Sequence, residues 1–194
     1  MKQLQTLIRR GRAEPNALFF GISKLKLTFG AVAISLLGIT AAPAHVTLKT
    51  QQATVGSVYK AVLIVPHGCA GSPMLKLRVQ IPNGVIAVKP QPKAGWNVET
   101  VSGKYSQTFD YFGTQVSEGV KEIVWSGRLL DEHYDEFNFR AYLTSDLKPD
   151  TTLYVPVVQE CEKGIDRWIE IPTNGTSSGD YKFPAPGVQL NSKK

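Results

Sequence analysis

Three histidines, two cysteines and three tryptophans are the residues of this chain best suited to handling a soft or borderline metal ion. The histidines are His45, His67 and His133; the cysteines are Cys69 and Cys161. His45 stands apart because of what precedes it. Ala42-Pro43-Ala44 has the small-residue pattern of a leader-peptidase site, and a cut after Ala44 frees an α-amino group on the histidine itself. Such an amine titrates near pH 8, and together with the ring Nδ1 it can chelate one ion; two nitrogen donors favour Cu(II) most among the divalent first-row metals. The plain alternative is a cleavage site that happens to fall ahead of a histidine with no task. His133 sits among Asp131, Glu132, Asp135 and Glu136, which read as a solvated loop leading into a strand at Phe137. No Gly-x-Ser-x-Gly elbow, phosphate loop or His-Glu-x-x-His motif is present, so the sequence gives no support for a hydrolase.

The elements that must position these residues begin with a leader. Residues 1–44 carry a basic stretch ending at Lys24 and Lys26, an apolar run from Leu27 to Thr40, and the small-residue site. This is the order of an export signal. A membrane anchor is the competing reading, but the run falls short of the roughly 20 residues needed to cross a bilayer and contains Gly30, Ser35 and Gly38. Six of the 22 basic residues and one of the 16 acidic ones lie in the leader, which leaves 16 against 15 in the mature part. Near neutrality removes the electrostatic case for nucleic-acid or anionic-membrane binding. Periplasmic or secreted localisation follows, and in such an oxidising compartment a Cys69–Cys161 disulfide is the default, with a thiol pair for Cu(I) or zinc as the alternative.

After His45 the chain alternates apolar and polar residues in short runs broken by Gly, Pro and Asn, an all-β pattern with no long helical period. The clearest runs are Val58 to Val65, Leu75 to Ile81, Val85 to Val88, Glu122 to Trp125, Phe137 to Leu143, Leu153 to Val158 and Trp168 to Ile171. Seven or eight strands in about 130 residues predict a two-sheet β-sandwich. Pro82-Asn83-Gly84 and Ala94-Gly95 read as turns. The expected organisation is a signal peptide over 1–44, the β-sandwich domain over 45–172, and a loosely ordered tail over 173–194. Trp96 and Trp125 read as core or edge packing. Trp168 shares a strand face with Glu170 while Ile169 and Ile171 share the other, so it is expected on the polar face.

Several motifs carry a resemblance. His45-Val46-Thr47-Leu48, Gln51-Gln52-Ala53-x-x-Gly56, Lys89-Pro90-x-Pro92-x-x-Gly95-Trp96 and Gly164-x-x-x-Trp168 resemble the YcnI-like domain of exported bacterial proteins. Val65-Pro66-His67-Gly68-Cys69, the Val120-to-Gly127 stretch and Val157-to-Glu162 are most similar to its proteobacterial branch. The resemblance covers nearly all of residues 45 to 172. It implies an immunoglobulin-like sandwich that binds Cu(II) through a single-histidine brace, in copper homeostasis. In that pattern His45 chelates, a carboxylate shortly after it completes the site, and Trp168 lies beside the metal. This chain departs from the pattern by placing Lys49 and Gln52 where an acid is expected; a protonated lysine cannot ligate and a neutral amide ligates weakly.

Other acids stand available at the far end of the chain. A bridge between Cys69 and Cys161 would hold their Cα atoms about 4.4 to 6.8 Å apart and bring His67 near Glu160 and Glu162. The same segment carries Asp166 and Trp168. The expected metal set is therefore His45 and Trp168, with Gln52, His67, Glu160, Glu162 and Asp166 as candidates. The leading expectation is a non-catalytic Cu(II) chaperone or buffer whose partner is another periplasmic copper chaperone or a copper-dependent membrane protein. A metal-free immunoglobulin-like adhesion or scaffold module is the first alternative. An oxidative, polysaccharide-cleaving copper enzyme is the second, although Trp168 beside the copper would block the open positions that oxygen needs.

Overall fold

Side chains that alternate along a strand line one face of a sheet, and that rule alone accounts for most of the elements seen. The computed structural model describes residues 45–173 and 175–193; the expected leader and its cleavage site lie outside the described residues. The domain is all-β, as the apolar alternation predicts, and its strands fall into three sheets. A four-stranded sheet runs in the order β1 (Thr47–Leu48), β3 (Ser57–Val65), β8 (Asp135–Leu143) and β5 (Val85–Pro90). A five-stranded sheet runs β11 (Ile165–Trp168), β10 (Val157–Cys161), β4 (Met74–Gln80), β7 (Thr114–Leu129) and β6 (Asn97–Tyr111). A three-stranded sheet joins β2 (Gln52–Thr54), β12 (Gly187–Asn191) and β9 (Thr152–Tyr154).

The two larger sheets share one core. Ala61, Leu63, Phe137 and Phe139 from the first meet Leu77, Val79, Ile123 and Trp125 from the second in a single buried cluster. Trp125 lies edge-on to Phe137 with ring centroids 5.6 Å apart, and Trp96 packs T-shaped on the same ring at 4.8 Å. Both tryptophans therefore pack as the sequence predicts. Gly84 and Gly95, in the two predicted turns, have φ of 82° and 76°, where a side chain is strained.

Three expectations are corrected. The single run from Leu153 to Val158 is two strands, because Pro156 has no N–H to give a ladder; β9 and β10 on either side of Val155-Pro156 enter different sheets. The strand expected over Trp168 to Ile171 ends at Trp168, and beyond it Glu170 bridges to Pro184. Finally, the segment expected to be a loose tail is part of the fold. Val188 and Leu190 of β12 are buried in the common core, and β12 pairs with β2 on one side and β9 on the other.

Candidate functional site

Antiparallel pairing of β1 with β3 sets Thr47 opposite Ile64 and Leu48 opposite Leu63. His45, two residues ahead of β1, is thereby delivered to the end of the sheet from which His67, two residues past β3, departs. In the other sheet, β10 and β11 pair so that Val157 faces Trp168 and Gln159 faces Asp166. Trp168 and Asp166 thus share a strand face, the one that points inward. Trp168 is 3% exposed, whereas Ile165, Ile169 and Ile171 are exposed, so the polar face expected for this tryptophan is in fact the covered one.

What covers Trp168 on one side is His45. Their ring centroids are 5.6 Å apart with the planes inclined at 57°, and on its other contacts the indole meets Phe183 edge-on at 5.1 Å. His45 itself is half-buried and borders an open cleft of about 320 Å³. Thr47, Gln51, Tyr154, Ser178 and Gln189 line that cleft with Pro184 and Pro186; among the described residues no carboxylate does. The imidazole has tryptophan on one flank and a solvent-accessible, uncharged space on another.

Gln159 is the residue that sequence reasoning passed over. Its side chain is fully buried, and its Oε1 accepts the Trp168 Nε1–H at 2.8 Å. Its Nε2 donates to the His67 carbonyl at 2.7 Å and to that of Gly68 at 3.3 Å. The signal was present in the alternation: Val157, Gln159 and Cys161 point the same way, and an amide between a valine and a bridged cysteine has to be satisfied inside. Cys69 and Cys161 form the expected disulfide, with Cα atoms 5.9 Å apart. It fastens the 67–69 loop to β10. At Gly68 an added Cβ would lie 2.0 Å from the Ser72 carbonyl oxygen, so the loop closes only around glycine.

His67 and Asp166 are drawn together at this end of the domain. Loss of solvent raises the Asp166 carboxyl above the ordinary aspartate range, while the nearby charges of His67 and Lys182 pull it back. The His67 Nδ1 lies 2.6 Å from the Gly68 carbonyl oxygen, to which it can only donate, so Nε2 is the ring nitrogen left for another partner. Histidines that hold metals commonly fix their second nitrogen on a carbonyl in this way.

The remaining acid candidates go elsewhere. Glu160 projects to the opposite face of β10, paired with Lys76 at 3.8 Å and Arg78 at 3.5 Å; Glu162 pairs with Arg128. The expectation that the disulfide would bring these two glutamates to His67 fails because they alternate with the inward Gln159 and Cys161. Gln52 is exposed in β2, and its neighbour Gln51 borders the cleft instead. Lys49 pairs with Glu136 at 3.0 Å. Among the described residues no three His, Cys, Asp or Glu side chains converge as a metal-holding group.

Comparison with known proteins adds three findings. The family model described as a domain of unknown function (DUF1775) matches residues 45–190. No curated protein sequence matches the chain. Among solved structures, a crystal structure of a protein from Nocardia farcinica, described as uncharacterized and as having an immunoglobulin-like fold, superposes with a TM-score of 0.58. The two chains are 17% identical, and the alignment covers 76% of this chain and 99% of that one. The likeness establishes an immunoglobulin-like fold here.

Proposed function

Because the chain belongs to the DUF1775 family, the YcnI-like domain, with a match that begins at His45, we propose that it is an exported Cu(II)-binding protein that uses His45 as a single-histidine brace. The observation that carries this reading is the His45 ring lying 5.6 Å from a buried Trp168 while facing an open cleft. Among the described residues no three His, Cys, Asp or Glu side chains converge, and a backbone donor is what the brace would add to His45. Cleavage after Ala44 would supply it as the freed amine. The amine and the imidazole then offer two nitrogens from one residue, which suits Cu(II). His67, through Nε2, and Asp166 are the donors at the same end of the domain that could add to this pair. Trp168 shields one flank of the ion from water and offers it a π-face. An uncharged approach through the cleft leaves the other flank open to exchange.

Copper is cargo in this reading, and the protein is a chaperone or buffer without catalytic chemistry. Delivery goes to another periplasmic copper chaperone or to a copper-dependent membrane protein. Export agrees with the disulfide, and no helix among the described residues is long and apolar enough to cross a membrane. The test begins with mass spectrometry of the exported protein, which should start at His45. Titration of that species is expected to show one tightly held Cu(II) per chain. Binding should disappear in His45→Ala and in a form carrying one extra residue ahead of His45. Equal binding by the extended form would overturn the brace.

A further inference from the structure

We infer that Gln159 is a positioning residue, whose buried amide locks the Trp168 indole against the His45 ring by bonding it to the 67–68 backbone. This rests on the reading of His45 as the copper site and names the device that sets its tryptophan flank. Two buried tryptophans in the same core provide the comparison. The Trp125 Nε1–H is buried with no hydrogen-bond partner among the described residues. Trp168, also buried, has an amide dedicated to it. Filling space does not account for Gln159, since an aliphatic side chain would fill that inward position of β10 without desolvating an amide.

The amide is anchored at both ends. Accepting from Trp168 sets the height of the indole, and donating to His67 and Gly68 ties it to a loop already held by the Cys69–Cys161 bridge. Phe183, edge-on at 5.1 Å, bounds the indole further. The ring has few alternatives to the orientation it presents to His45. A precisely held neighbour costs less ordering when the ion arrives, which is the thermodynamic use of such a lock.

The test uses the processed domain and nuclear magnetic resonance of the metal-free protein. In the wild type, the Trp168 indole proton is expected to exchange with solvent slowly, and the His45 ring protons to be displaced by the indole ring current. Fast exchange or undisplaced ring protons would overturn the lock whatever the variants do. In Gln159→Met, exchange of the Trp168 indole proton should accelerate by at least tenfold and the His45 displacement shrink, while Trp125 and the strands β3 and β8 keep their signals. Cu(II) affinity should fall by roughly three- to thirtyfold. In Gln159→Glu the acceptor remains and the donor returns on protonation, so the His45 displacement, compared with that of the wild type at each pH, should recover as pH falls. Unchanged Trp168 exchange in the Met variant, or changes spread equally over Trp125, would reduce Gln159 to packing. These readouts need no metal, so a wild type that binds no copper would sink the copper reading and leave the lock to be judged separately.

Discussion

At the scale of single residues, the site turns on an imidazole and an indole from opposite ends of the chain. If Trp168 flanks the ion, its π-face contributes about 0.5 to 2 kcal/mol, which corresponds to roughly two- to thirtyfold in affinity. Trp168→Leu is accordingly expected to weaken Cu(II) binding by that factor while stoichiometry stays at one, as calorimetric titration of the processed protein would show. An affinity unchanged within error would place the indole in the core alone. If the brace holds the ion, both its amine and its ring nitrogen must be deprotonated to bind, so affinity should fall as pH drops below about 8, where the freed amine takes up a proton, and copper titration across pH would show it. The nearness of His45 to Trp168 was legible because the resemblance singles out both residues. Gln159 was not, since its importance lies in pairing with a tryptophan nine residues away across a strand pair. Glu160 and Glu162 misled because nearness in sequence to Cys161 says nothing about which face of β10 a side chain takes.

Elements hold those residues in place, and β3 does so through Tyr59. Its hydroxyl donates to the Thr50 carbonyl at 2.5 Å, just past β1, and so steadies the strand that follows His45. Burial pushes the Tyr59 phenol up to about 12 from an ordinary value of 10.0. Because the folded state favours the protonated phenol, this contribution is complete below pH 10 and is lost as pH rises toward 12. Spectrophotometric titration of the seven tyrosines should show a late phase to which Tyr59 contributes beside Tyr105, whose phenol burial also raises, and Tyr59→Phe should shrink that phase. The apolar runs that form β3, β4, β5 and β8 were read from sequence close to their observed bounds. The strand β6 was not, since most of its 15 residues face solvent and leave no apolar period to detect. The β9–β10 break was hidden because Val155 is apolar and buried in the corner, so the run looks continuous.

For the whole molecule, the question is where the domain ends, and the sequence suggested residue 172 because the Gly/Ser/Thr stretch there resembles a linker. The fold shows otherwise. After that stretch the chain returns through Phe183, which touches Trp168, and Pro184 and Pro186, which border the His45 cleft. It then enters β12, the middle strand of its sheet, and buries Val188 and Leu190. Two fully buried aliphatic side chains are worth about 3 to 6 kcal/mol. A domain of this size has only about 5 to 15 kcal/mol in total. Losing β12 also strips β2 and β9 of their hydrogen-bonding partner. A chain ending at Pro172 is therefore expected to lose its cooperative thermal transition and to be cut rapidly by protease. One ending at Asn191 should melt within a few degrees of the full chain. A cooperative melt from the Pro172 form, with copper binding retained, would show that the returning segment is an appendage and that the cleft beside His45 has no part in holding the ion.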